Sequence, residues 1–305
     1  MNPSPSATVV ISTKNRADDL RKTVESALQQ TAAPEVLVLD DGSTDSTASL
    51  IRTQFPQANY HRFEESAGYI VRRNQGAELA SGPVIFSIDD DAIFSTPRIV
   101  EQTLANFDHP RIGAVAIPFI NVNQDNRILQ AVPSTTGTHI SASYIGTAHA
   151  LRRDLFLKLG GYRSQLIHQG EEVDYCVRML DAGFVVRLGR ADPIHHFESP
   201  RRDWSRVEPL GRRNDVLYAW HNVPMPYLPA HLLGTTFNGI KAGMKVHRPW
   251  RMIKGILRGY GAIMSREWRQ RRPISPQTYR LSRMLKKRGS VPLEQIEAFL
   301  NERAA

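Results

Sequence analysis

The 305 residues suffice for one large domain, or one domain plus an extension, and a composition of 41% hydrophobic and 23% charged residues excludes a disordered or fibrous chain. The single cysteine, Cys176, excludes an intrachain disulfide, and no run approaches the roughly 18 apolar residues that a membrane-spanning helix needs. The formal charge of +9 is unevenly placed: residues 241–288 hold 15 Lys/Arg and one acid, Glu267, so the rest of the chain is net acidic.

The opening residues, MNPSPSATVV, have no basic n-region and no long apolar h-region, so no signal peptide is expected. Four β-branched-rich apolar runs follow, at 7–13, 36–39, 84–88 and 114–119. They are continuous rather than alternating, as in strands covered on both faces. Between them lie amphipathic helical stretches. In the first, Leu20, Val24, Ala27 and Leu28 share a face, and the second, from Thr47 to about Phe55, follows a Gly-Ser-Thr-Asp turn rich in cap formers. Strand–helix alternation predicts a parallel, doubly wound α/β sheet. A second half begins near 139, with a strand-like stretch ending near His149 and a short helix over 153–159 stopped by Gly160-Gly161. A further helix starts about Glu171, with Val173, Cys176, Val177 and Leu180 as its core stripe. Pro224, Pro226 and Pro229 mark a boundary, giving a body over 1–222 and a basic helical extension over 223–305.

Ligands of doubly wound sheets bind beyond the carboxyl ends of the strands. The residues there are Ser12-Thr13-Lys14-Asn15-Arg16, Asp40-Asp41-Gly42-Ser43 and Asp89-Asp90-Asp91. Three adjacent carboxylates repel, and a divalent cation such as Mg²⁺ or Mn²⁺ resolves the conflict; a solvated acidic turn is the plainer alternative. Asp40 at its strand end can accept a hydrogen bond from a base or ribose, although the segment also serves as a turn and helix cap. Glu171 and Glu172 fall in the first turn of a helix, where the dipole favours carboxylates, either as a cap or as a general base. Asp174 and Arg178, spaced i,i+4, can pair on the surface. His195-His196 follow a strand expected at 185–188, and a histidine completing an aspartate-based metal site is chemically sensible, as is a merely structural pair. Arg73-Asn74 sit in a helix between Gly68 and Gly76, either near a diphosphate or on a solvated face.

Taken in order, VVISTKNR, LDDGSTD, RNQG, SIDDD, ALRRDLFLKLGGY, GEEVD and IHHFES resemble glycosyltransferase family 2 over roughly residues 7–222. The resemblance implies the GT-A fold, a nucleotide-sugar donor, a divalent metal (Mn²⁺ or Mg²⁺) and inversion at the anomeric carbon. It implies that Ser12, Thr13 and Asp40 hold the nucleotide and that Arg73 lies near the donor. Asp89 and Asp90 would approach the ribose or stand behind the metal, and Asp91 would bind it. His195 would be a further ligand, with His196 as the close alternative, and Glu172 the general base. Two departures bear on the acceptor: the base is glutamate where similar enzymes commonly have aspartate, and the Gly-Gly-Phe-Asp-like turn reads Gly160-Gly161-Tyr162-Arg163.

Two other classes compete. A sugar nucleotidyltransferase would open with a glycine-rich loop after the first strand, and STKNR contains no glycine. A non-catalytic nucleic-acid or membrane binder would explain the tail but not the acids, and no nucleic-acid module is visible, so no nucleic-acid partner is expected. In the tail, Ile253, Ile256, Leu257, Tyr260, Ile263 and Met264 recur at helical spacing, with Lys254, Arg258 and Arg266 off the stripe. Such a basic amphipathic helix suits an anionic membrane surface, or packs on the body. The expected setting is a cytoplasmic protein held peripherally at the inner membrane face, with a saccharide or lipid-linked saccharide acceptor.

Overall fold

The computed structural model describes residues 6–134, 136–198 and 203–301; Ser199, the last residue of the IHHFES stretch, lies outside them. The first half alternates β1 (Thr8–Thr13), α1 (Ala17–Leu28), β2 (Glu35–Asp40), α2 (Thr47–Gln54), β3 (Asn59–Arg62), α3 (Tyr69–Leu79) and β4 (Val84–Asp89). Then come β5 (Ala92–Phe94), α4 (Ile99–Leu104), β6 (Ile112–Ala116), β7 (Phe119–Asn121), β8 (Ile128–Leu129) and β9 (His139–Ser141). The second half holds β10 (Ala148–Arg152), α5 (Arg153–Lys158), α6 (Glu171–Asp181), β11 (Val185–Leu188) and β12 (Ile194–His196). The C-terminal part is α7 (Trp204–Asn222), α8 (Leu228–Lys245), α9 (Pro249–Ala262), a π-helical turn (Ile263–Glu267), α10 (Pro276–Arg288), β13 (Ser290–Pro292) and α11 (Glu297–Asn301).

The main sheet has the order β13-β9-β11-β6-β10-β4-β1-β2-β3. β3, β2, β1 and β4 are parallel neighbours. β10 runs against both β4 and β6, so β6 and its parallel partner β11 share the direction of β4. β9 is reversed as well, and β13 is antiparallel to it. The sheet is therefore mostly parallel, as expected, with two reversed strands in its second half.

Continuous apolar runs are needed because both faces are covered. Val9, Ile11, Val36 and Val38 pack with Leu20, Val24 and Ile51 on one side. Val10, Leu37 and Leu39 point the other way, onto Ile70, Ala77 and Tyr175. Gly76 permits α3 to approach, since a Cβ there would stand 2.5 Å from Val10 Cγ1.

The register places the chemistry. Thr13 is paired with Asp40, and Ser12 with Asp89, so all of these end at one edge of the sheet. Two expectations are corrected. The run 114–119 is two strands, because Pro118 has no N–H for a ladder and Phe119 opens β7 in a second sheet of order β5-β12-β7-β8. The stretch expected to end near His149 instead begins at Ala148 and runs to Arg152. The second sheet sets His196 opposite Ala92, the residue after Asp91.

The C-terminal part is helical and basic, as expected, and is packed on the body. β13 adds to the sheet edge, and Leu281, Leu285 and Val291 cover Ile112 and Val115.

Candidate active site

Asp89, Asp91 and His196 bring one ligand atom each within 4.8 Å of one another. His196 Nε2 lies 3.3 Å from Asp91 Oδ1 and 4.0 Å from Asp89 Oδ2. Neighbours on a strand face opposite sides, so β12 turns His196 into the acidic corner and His195 away from it. The alternative named from sequence, His196, thus takes the place given first to His195. The cause is register: His196 is level with Asn121 of β7 and its Nδ1 donates to Asn121 Oδ1 at 2.7 Å, which leaves Nε2 to face the carboxylates. Burial lowers the His196 pKa, but Asp91 and Asp89 outweigh it and hold it above its ordinary value.

Asp90 is turned inward. It accepts from Thr13 Oγ1 at 2.8 Å, and burial pushes its pKa up to about 7. Arg16 Nη1 stands between Asp90 and Asp91, at 3.3 Å and 3.0 Å. Burial raises the Asp91 carboxyl, yet His196 and Arg16 together bring it below the usual carboxylate value. A guanidinium thus supplies part of the positive charge this corner requires. Two carboxylates and an imidazole Nε2 form a donor set that a divalent cation can occupy.

The second corner is the first turn of α6. Gly170 precedes it in the left-handed region (φ 88°), and Glu171 and Glu172 follow. Glu171 is fully buried while Glu172 is partly exposed, so Glu172 is the carboxylate an entering hydroxyl can reach. Burial raises both pKa values, and for Glu171 the adjacent Glu172 adds to the rise. The helix dipole works against this, but at about 0.3–1 kcal/mol it is worth less than the roughly 1.4 kcal/mol that moves a pKa by one. Glu171 is therefore held toward its protonated form; its Oε1 lies 3.4 Å from Arg73 Nη1, and its Oε2 is buried with no hydrogen-bond partner among the described residues. Gly146 faces the pair, and a Cβ there would collide with Glu172 Oε1 and come within 3.0 Å of Arg73 Nη1.

Arg73 joins the corners. Its Nη2 reaches Asp89 Oδ1 at 2.6 Å and Gly146 O at 3.1 Å, and its Nη1 lies 3.4 Å from Glu171 Oε1. The guanidinium also lies 4.8 Å from the centre of the Tyr69 ring. The next residue, Asn74, pins the Gly-Gly-Tyr-Arg turn by two bonds to the Tyr162 backbone, at 2.8 Å and 2.9 Å.

Other residues serve elsewhere. Asp40 does not present a free carboxylate: it is wholly buried, accepting from Ser43 N at 2.7 Å and from the Tyr60 hydroxyl. Asp41 accepts from Ser66, Ala67 N, Gly68 N and Arg72, and so ties the loop before α3. Ser12 Oγ is buried with no protein partner, while Thr13 is committed to Asp90. Asp174 and Arg178 pair inside, not on the surface, because Arg163 and Asn222 also converge on Asp174. Val173 is exposed rather than part of the stripe, and Tyr175 and Met179 take the buried positions beside Cys176. Arg16, the end of the VVISTKNR segment expected at the nucleotide, instead lies against Asp90 and Asp91. Asn121 and Gly146 have no role legible in the sequence, because they reach the site only through strand pairing and loop path.

The chain matches the model of "Glycosyl transferase family 2" over residues 8–160. It belongs to that family. Among curated relatives, the succinoglycan biosynthesis protein ExoU of Rhizobium meliloti (strain 1021) is 31% identical over 196 residues, 57% of each chain. Validoxylamine A glucosyltransferase of Streptomyces hygroscopicus subsp. limoneus is 37% identical over 119 residues, 37% of this chain and 26% of the relative. The chain thus spans about half or less of the relatives it matches. Among solved structures, mannosyltransferase PcManGT from Pyrobaculum calidifontis, in complex with GDP-Man and Mn²⁺, has a TM-score of 0.57 at 17% identity, covering 99% of this chain and 87% of its own. Staphylococcus aureus TarS 1-349 has a TM-score of 0.59 at 14% identity, covering 82% and 81%. The fold is that of the GT-A glycosyltransferases.

Proposed function

We propose that the protein is an inverting glycosyltransferase that moves a sugar from a nucleotide-sugar donor to a hydroxyl acceptor. The observation that carries this is the pair of corners joined by Arg73: a cation-binding group at the strand edge, and a reachable glutamate across from it. Solved structures of similar fold, one in complex with UDP-GlcNAc and another with GDP-Man and Mn²⁺, support the donor class. Residues up to about 120 hold most of the donor, residues 121–222 the acceptor together with His196 at the metal, and 223–305 form the extension.

Asp89, Asp91 and His196 would hold the metal, which when bound neutralises the departing diphosphate. Asn121 keeps His196 Nε2 presented, and Arg16 and Thr13 hold Asp90 behind the ligands. Glu172 takes the proton of the acceptor hydroxyl as its oxygen bonds to the anomeric carbon, on the face opposite the breaking bond to the diphosphate. Glu171, protonated, keeps a second negative charge out of the corner. A similar relative acts in succinoglycan biosynthesis, which supports a role in cell-surface polysaccharide or glycolipid synthesis with a saccharide or lipid-linked saccharide acceptor on the cytoplasmic side. The test is donor turnover across UDP-, dTDP- and GDP-sugars with Mn²⁺. One donor should be consumed, EDTA should stop it, and Glu172→Gln should slow transfer about 10²–10⁴-fold at unchanged donor affinity. Full turnover in EDTA, or an unaffected Glu172→Gln, would refute the reading.

A further inference from the structure

The apolar stripe expected on α9 splits in two. Gly255 and Gly259 sit against α7: a Cβ on Gly255 would strike Pro209, and one on Gly259 would stand 2.7 Å from Val216 Cβ. Met252, Ile256 and Ile263 are buried with them. That contact fixes which side of α9 faces out. Trp250, Leu257 and Met264, seven residues apart, are 79%, 64% and 83% exposed, and Lys254, Gly261 and Trp268 lie along the same side and are exposed too. α8 repeats the arrangement. Gly239 and Gly243 meet Ile256 and Met252 of α9, while Leu233, Phe237 and Met244 are exposed on another side.

We propose that the outer sides of α8 and α9 form a docking surface for an anionic lipid bilayer, with Trp250, Leu257, Met264, Leu233 and Phe237 entering the headgroup boundary. This rests on the glycosyltransferase reading only in supplying a lipid-linked acceptor. Charge complementarity selects the occupant. Lys241, Lys245, Lys254, Arg258 and Arg266 are exposed around the apolar residues, whereas Glu267, the one acid of 241–288, is buried against His221. Trp and Arg beside exposed aliphatics suit an interface that is apolar below and anionic above. No helix among the described residues is long and apolar enough to cross a membrane, and the contact proposed is with the bilayer surface. α7 links this surface to the site. It carries α9, and its Asn214 Nδ2 lies 2.7–2.8 Å from Leu166 O, His168 O and Gln169 O, its two N–H groups shared among the three carbonyls of the loop that leads into Glu171 and Glu172.

The test is flotation of the full chain with vesicles of phosphatidylcholine alone, or with 30% (about one lipid in three) phosphatidylglycerol, at low and high salt. Turnover of a soluble donor is measured on the same samples. The protein should float with the anionic vesicles at low salt and be released by high salt. Trp250→Ser/Leu257→Ser/Met264→Ser should reduce partition at least tenfold, and Lys254→Gln/Arg258→Gln about fivefold per charge removed, both with unchanged donor turnover. Equal flotation of parent and triple variant overturns the proposal. So does a stable dimer in solution that the triple variant dissociates, since the face would then be an interface between copies. Donor turnover lost in the parent itself would strike the glycosyltransferase reading and leave the flotation result to stand on its own.

Discussion

Arg73 Nη2 lies 2.6 Å from Asp89 Oδ1, and the guanidinium that makes this contact is itself buried. One side chain on α3 therefore couples the Asp89 end of the sheet edge to the carboxylate pair on α6, and its removal is felt in both. Asp89 is about a third exposed and Glu171 is held toward its neutral form, so these contacts are worth less than a fully buried ion pair; Arg73→Met should lose about 1–3 kcal/mol, read from the denaturant midpoint, together with donor turnover. Arg73→Lys should recover part of the stability without the fork that spans the corners.

Glu171 and Glu172 should respond oppositely to neutralisation. Glu171→Gln mimics the protonated form already present and should keep turnover, whereas Glu172→Gln should lose it. The pH dependence of stability carries the sign. The folded pKa of Glu171 is raised, so its contribution is present below the unfolded carboxylate value and is lost as pH rises through the raised value. The melting temperature of Glu171→Gln should therefore gain on the parent as pH increases from about 5 to about 9, by at least about 2 °C across that range. A constant difference between the two would exclude the raised pKa.

Replacement of the two histidines should separate them. His196→Gln should weaken Mn²⁺ binding, followed by calorimetry with the nucleotide present, while His195→Gln should leave it unchanged. Asn121→Ala should weaken it by about 10–100-fold through the loss of the bond that orients His196. Equal effects of both histidine variants would contradict the geometry.

Asp40→Ala should act first on the fold. Both carboxylate oxygens are engaged, so the Ser43 amide and the Tyr60 hydroxyl lose their acceptor, at a cost of about 1–3 kcal/mol for the buried amide and less for the hydroxyl of Tyr60, which is only partly buried. A thermal shift in the absence of nucleotide checks this. An unchanged melting temperature with weakened nucleotide binding would return Asp40 to the role read from its position in the sequence.

Much of this arrangement was legible in the sequence because strand ends collect polar residues. Asp89–Asp91 and Glu171–Glu172 stand at element boundaries that apolar runs define on their own. The choice of His196 over His195 depended on the parity of a three-residue strand, which no periodicity can fix. Asp40 and Asp41 look alike as adjacent acids, but Asp40 receives the Ser43 amide and Tyr60 of β3, whereas the loop over 66–68 brings its donors to Asp41. The tail was read as a single apolar stripe because hydrophobic spacing does not weigh glycines. It is Gly255 and Gly259 that set the close contact with α7 and leave Leu257 and Met264 outside.

Attack driven by Glu172 on the face opposite the departing diphosphate is tested most directly by proton NMR of the first-formed product, using whichever α-linked nucleotide sugar the protein consumes. An anomeric signal with the coupling of the inverted, β-configured glycoside should grow as the donor signal decays. A first-formed product that keeps the α configuration would contradict it.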